Sequence, residues 1–88
     1  MTKPVLRIEY CVPCSYLARA TWQAQELLAA LAPSLAALEL VPSSGGRFRV
    51  SLGDAELFSK EIEGRFPETD ELLKKAFALL DETEVPSS

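Results

Sequence analysis

Residues Val5 to Tyr10 alternate, with Leu6, Ile8 and Tyr10 on one side and Arg7 and Glu9 on the other. A period of two marks a strand with one wet face. From about Ser15 to Ala32 the period lengthens: Leu17, Ala20, Ala24, Leu27, Leu28 and Leu31 share a stripe at helical spacing, and Pro33 follows its end. Leu38 to Val41 is a short strand closed by Pro42, and Ser43 to Gly46 is a turn. Arg47 to Leu52 alternates strictly, with Phe48, Val50 and Leu52 inward. Gly53-Asp54 then reverses the chain into Ala55 to Ser59, which predicts a hairpin. Lys60 to Pro67 reads as a loop. A last helix is expected from Glu68 or Thr69 to about Asp81, burying Leu72, Leu73, Ala76, Phe77 and Leu80. Asp70 with Lys74 and Glu71 with Lys75 have the spacing of ion pairs on its wet side.

The predicted fold is thus α/β, in the order β-α-β-β-β-α. The first β-α-β unit should be parallel and right-handed. The hairpin adds antiparallel strands, so a mixed four-stranded sheet of order 2-1-3-4 is expected. Arg7, Glu9, Arg47 and Arg49 all point away from the apolar side. Both helices should therefore pack on one face, leaving the other to water in a two-layer sandwich. One domain over residues 1–88 is expected, with 82–88 a frayed tail.

Chemistry narrows to a single motif. The only cysteines are Cys11 and Cys14, at the junction of the first strand with the first helix. Histidine is absent, which removes Cys–His and Ser–His–Asp arrangements and any imidazole metal ligand. One chain cannot supply the four thiolates of a closed zinc site, so no metal and no cofactor are expected, although two chains sharing a site stays open. The net charge of −4 argues against a nucleic-acid partner. No apolar run approaches a membrane span, and the N-terminus lacks an apolar signal core. The chain is read as cytoplasmic, where a CxxC pair points to catalysis or metal binding rather than to a fixed disulfide. Two buried hydrophobic cysteines are the plain alternative.

Around the pair, Val12 and Pro13 set the spacing of the sulfurs, and Pro13 is placed at the helix start. A sulfur beside the helix N-terminus would be favoured as thiolate. Ser15 is expected to cap the helix. Arg19 is either a solvated arginine or a cation near the thiolate. Trp22 lies opposite the apolar stripe and either packs on the last helix or forms a contact surface, a homodimer interface included. Gly45 and Gly46 serve a turn needing positive φ, or a close approach to a thiol peptide.

The ordered motifs Tyr10-Cys11-x-x-Cys14-x-Tyr16, Gly45-Gly46-Arg47-Phe48-Arg49-Val50, Ser59-Lys60 and Gly64-Arg65-Phe66-Pro67 resemble the selenoprotein W family. This is the Rdx group that also takes in selenoproteins T and H. The likeness runs from Val5 to Leu80 and implies a reduced thioredoxin-like fold. Many members carry selenocysteine at the position of Cys14, and the all-sulfur form resembles a bacterial version. The resemblance implies a thiol–disulfide redox protein working through Cys11 and Cys14, with glutathione or a protein thiol as partner. Thioredoxin logic makes Cys11 the exposed attacker and Cys14 the resolving thiol, while the selenium position in relatives keeps the reverse open. The chain departs from thioredoxins in lacking both a docking proline before the third strand and a helix between the second and third strands. A non-catalytic interaction module using the open sheet face or Trp22 is the competing function.

Overall fold

The structure is a computed structural model that describes residues 3–83. Its strands are β1 (Val5–Cys11), β2 (Ala37–Ser43), β3 (Phe48–Leu52) and β4 (Ala55–Ser59). Its helices are α1 (Leu17–Leu31), the single turn α2 (Lys60–Glu63) and α3 (Thr69–Thr83). The sheet order is β2-β1-β3-β4, with β1 parallel to β2 and antiparallel to β3, as the alternation predicts.

Leu6, Ile8 and Tyr10 of β1 pair with Leu52, Val50 and Phe48 of β3, so one apolar face runs across the sheet. That face is buried under Ala20, Ala24, Leu27 and Leu31 of α1 and under Leu72, Ala76 and Leu80 of α3. The opposite face is a charge ladder. Arg7 pairs with Glu39 at 2.9 Å, while Arg49 meets Glu9, Glu56 and Glu61 at 3.3–3.5 Å. Neither long helix covers it.

Several local expectations are corrected. The second strand extends through Pro42 to Ser43, which an edge strand tolerates because its outward N–H needs no partner. The 60–67 loop opens with α2, ended by Gly64 at φ 74°. In β4, Ser51 faces Glu56 while Val50 faces Phe58, so Leu57 is a bulge. The extra residue lets neighbouring Leu57 and Phe58 both be buried, and Lys75 Nζ donates to the bulged Leu57 carbonyl at 2.9 Å. Lys75 is therefore engaged there, and Glu71 pairs with Arg65 instead. Leu17, Leu28 and Phe77 are exposed. Phe77 lies about 100° around its helix from Ala76, outside the arc facing the sheet. Residues 82 and 83 belong to α3 rather than to a frayed tail, and 84–88 lie outside the described residues.

The start of α3 is held by Glu71. It accepts bonds from Arg65 Nη1 at 2.6 Å and Nη2 at 3.0 Å, and from the Glu68 N–H at 2.8 Å, the second half of a capping box. The Arg65 hydrogen bond first, then the Glu68 N–H, hold its pKa at about 2, down from 4.5. A depressed carboxylate pKa stabilises the fold above the unfolded value, and that contribution is lost as pH falls from 4.5 toward about 2. Urea midpoints of the protein and of Glu71→Gln should therefore differ at pH near neutral and converge through that acid window. A gap independent of pH would remove the assignment.

Candidate functional site

All four segments that meet at the Cys11 end of the sheet arrive there by topology. The C-terminal ends of β1, β2 and β4 and the start of β3 share this edge. Because β1 lies between β2 and β3, the short Ser44–Arg47 connection must pass across the end of β1, where Cys11 sits. Gly45 and Gly46 supply the turn with φ of 71° and 75°. An added Cβ on either would meet open space, so the turn geometry and not crowding requires glycine.

Cys11 and Cys14 are joined as a disulfide with Cα atoms 5.3 Å apart. Their surroundings differ sharply. Cys11 ends β1 and is 0% exposed, whereas Cys14 stands on the loop and is exposed. The expectation that Cys11 is the more accessible sulfur is thus overturned. The cause is the Ser43–Arg47 connection, which flanks the strand end and leaves only the loop outside.

The loop itself is a closed turn. Ser15 N–H donates to the Val12 carbonyl at 3.0 Å and Tyr16 N–H to the Cys11 carbonyl at 3.2 Å, with Ser15 left-handed at φ 65°. This nested pair is the Schellman pattern, here without a preceding helix. Pro13 occupies the second position of the Val12–Ser15 turn, which its fixed φ favours. It is therefore a turn proline and not the first residue of α1, which begins at Leu17. Cys14 stands three residues ahead of the helix, and the helix field falls off within one turn. Ser15 does not cap α1: the flanking residue is Tyr16, and no side chain caps the helix.

Left-handed backbone costs a non-glycine residue about 1–2 kcal/mol, partly offset by glycine's larger unfolded-state entropy. Ser15→Gly should then raise stability by about 0.5–1 kcal/mol, while Ser15→Val should lower it. Denaturant unfolding of both variants checks the sign, and equal midpoints would sink it.

Beneath the loop, Tyr16, Phe48 and Phe66 form an edge-on aromatic triad with centroids 5.0–6.3 Å apart. Lys60 Nζ lies over the rings of Tyr16 and Phe66 at 5.8 and 5.4 Å. The role of Lys60 was not legible in sequence, beyond its place just after a strand that ends at the cysteine edge. Arg19 is neither solvated nor aimed at the cysteines. Its guanidinium stacks over Phe66 at 4.8 Å and Trp22 at 5.4 Å, and Nη2 donates to the Pro67 carbonyl at 3.3 Å. It bolts the Phe66–Pro67 segment to α1. Trp22 is 46% exposed and shares a shallow cavity of about 350 Å³ with Arg19, Pro67, Glu68, Thr69 and Asp70. The indole thus stands half-exposed beside the start of α3, across that cavity from Thr69 and Asp70. Gln23, one position further, is fully buried and donates to Thr69 Oγ1 at 2.9 Å. Its place three residues after Ala20, inside the apolar stripe, was the available signal.

Val12 and Leu17, 52% and 51% exposed, flank Cys14 as the apolar surroundings an incoming thiol would meet. Among the described residues there is no acidic or thiol cluster suited to a metal, no cis peptide bond, and no helix long and apolar enough to cross a membrane.

Residues 5–76 match the model of the Rdx family. No curated protein matches the chain. Solved structures similar to it include two crystal structures. A protein of Bordetella parapertussis shares 39% identity over 86% of this chain and 96% of its own, with a TM-score of 0.82. A selenoprotein W-related protein of Vibrio cholerae shares 31% identity over 91% of this chain and 100% of its own, with a TM-score of 0.86.

Proposed function

The chain belongs to the Rdx family, and from that membership and the geometry of its cysteines we propose that it is a thiol–disulfide redox protein exchanging electrons with glutathione or a protein thiol. The observation that carries the reading is the pairing of an exposed Cys14 with a buried Cys11 in one disulfide. Exchange requires an attacking thiolate to line up on one sulfur and expel the other. Only Cys14 offers that access, so Cys14 takes the mixed disulfide and Cys11 is the leaving and resolving sulfur.

The competing reading, an interaction module using the open sheet face, is disfavoured by that face. Arg7, Glu9 and Arg49 on that face are already paired within the sheet, in the Arg7–Glu39 pair and the Arg49 cluster, which leaves Trp22 as the feature that would carry that reading.

The test is equilibration of the protein in glutathione buffers of graded ratio, followed by alkylation of free thiols and mass spectrometry. Reversible, complete interconversion of the dithiol and disulfide forms is expected. A pair that stays locked in one form across the range open to cytosolic glutathione would sink the reading.

A further inference from the structure

Cys11 is fully buried although it stands on the sheet face that water reaches. Arg7 and Glu9 precede it on that face, and Cys11 continues the alternation. Its β2 partner in register is Ser43. On the other side, the ladder pairs Glu9 with Arg49 and Tyr10 with Phe48, and one further step of it would set Arg47 level with Cys11. That register would flank Cys11 with Arg47 and Ser43 on the same face, and Arg47 Nη1 reaches Ser43 Oγ at 3.2 Å. Within that side chain, the Nε–H is buried and has no hydrogen-bond partner. A buried orphan donor is costly and calls for an explanation.

We propose that Arg47 stabilises Cys11 as a thiolate in the reduced protein, its Nε–H and charge serving the sulfur that leaves during exchange. This rests on the redox reading above. A glutathione thiolate attacks Cys14 Sγ, forming the Cys14–glutathione bond. The Cys11–Cys14 bond breaks, and Cys11 departs with the electron pair as a thiolate beneath Arg47. A second glutathione thiolate then takes the first as glutathione disulfide and releases Cys14. One protein disulfide is reduced, two glutathione thiols are oxidised, and their protons end on the protein thiols or in solvent.

Other charges near Cys11 do not substitute for Arg47. Glu9, on the same strand face, is held by Arg49, which also carries Glu56 and Glu61. Lys60 is turned to the rings of Tyr16 and Phe66 on the helix side. Among the described residues, Arg47 makes no ion pair, so its charge is uncompensated at this edge. With α1 starting only at Leu17, the loop needs such a source of positive charge.

The thiol pKa of Cys11 is read from thiolate ultraviolet absorbance in Cys14→Ser, with and without Arg47→Gln. Arg47→Gln should raise it by about one unit, a tenfold loss of thiolate. In the two-cysteine protein the same change should favour the disulfide about tenfold against glutathione, or about 30 mV toward the reducing side. Arg47→Lys, which keeps the charge without the Nε donor, should fall between. If Arg47→Gln fails to fold by circular dichroism, the lysine variant decides by the same direction of shift. An unchanged Cys11 pKa in a folded variant overturns the proposal. A raised pKa in a protein that never exchanges with glutathione would keep the Arg47 assignment and overturn the redox reading instead.

Discussion

Cys11→Ser treated with glutathione disulfide is expected to accumulate a stable mixed disulfide on Cys14, while Cys14→Ser forms little or none and loses exchange altogether. The asymmetry follows from exposure. Cys14 stands in the open turn between exposed Val12 and Leu17, and Cys11 is sealed at the strand end. A glutathione disulfide must approach the attacking sulfur in line with its own S–S axis, which a sealed sulfur does not permit. With Ser at position 11, nothing remains to resolve the adduct, so it persists. In the intact protein the Cys11 thiolate is instead expected to attack Cys14 Sγ, expel glutathione thiolate and close the internal disulfide, so that no adduct accumulates. Mass spectrometry of the two variants, with peptide mapping of the adduct, reads the outcome. A stable adduct on Cys11 in Cys14→Ser, with none on Cys14 in the reciprocal variant, would invert the roles.

The second large effect concerns Phe48. Its ring is fully buried, lies edge-on to Tyr16 and Phe66, and pairs in register with Tyr10 just before the cysteine loop. Replacing a buried phenylalanine by alanine costs about 3–5 kcal/mol through lost transfer energy and the cavity left behind. A chain of 88 residues has a total stability of roughly 4–13 kcal/mol. Phe48→Ala should therefore remove from about a quarter to all of that stability, seen as a large drop in the denaturant midpoint. Phe77→Ala, at an exposed position of α3, should change it little. Similar costs at the two sites would mean that the aromatic triad does not anchor the loop.

Much of the architecture was legible because periodicity reports local geometry. Alternation in β1 and β3 identified the paired inner residues, and the handedness of the crossover with the Gly53-Asp54 hairpin ordered the strands. Where the reading slipped, the missing information lay in other parts of the chain. The bulge at Leu57 is a two-strand property, since it exists only in register with Ser51 and Val50. Phe77 and Leu17 look apolar in sequence, but only the packing arc of each helix against a narrow sheet decides which apolar residues are covered. Arg19 could not be assigned from its helix alone, because its partners Phe66 and Pro67 lie more than forty residues away.

The cysteine site divides along the same line. The sequence by itself narrowed the candidate chemistry to Cys11 and Cys14, since no histidine or further thiol competes. It also determined that the pair joins a strand end to a helical segment, because spacing and period are local. Only the tertiary structure decided which sulfur is accessible. The β2–β3 connection crosses the end of β1 and ties Arg47 to Ser43, the register partner of Cys11, while the turned-back Val12–Ser15 loop lifts Cys14 into solvent. Exposure depends on what the rest of the chain places over an atom, and no local pattern around the CxxC carries that information.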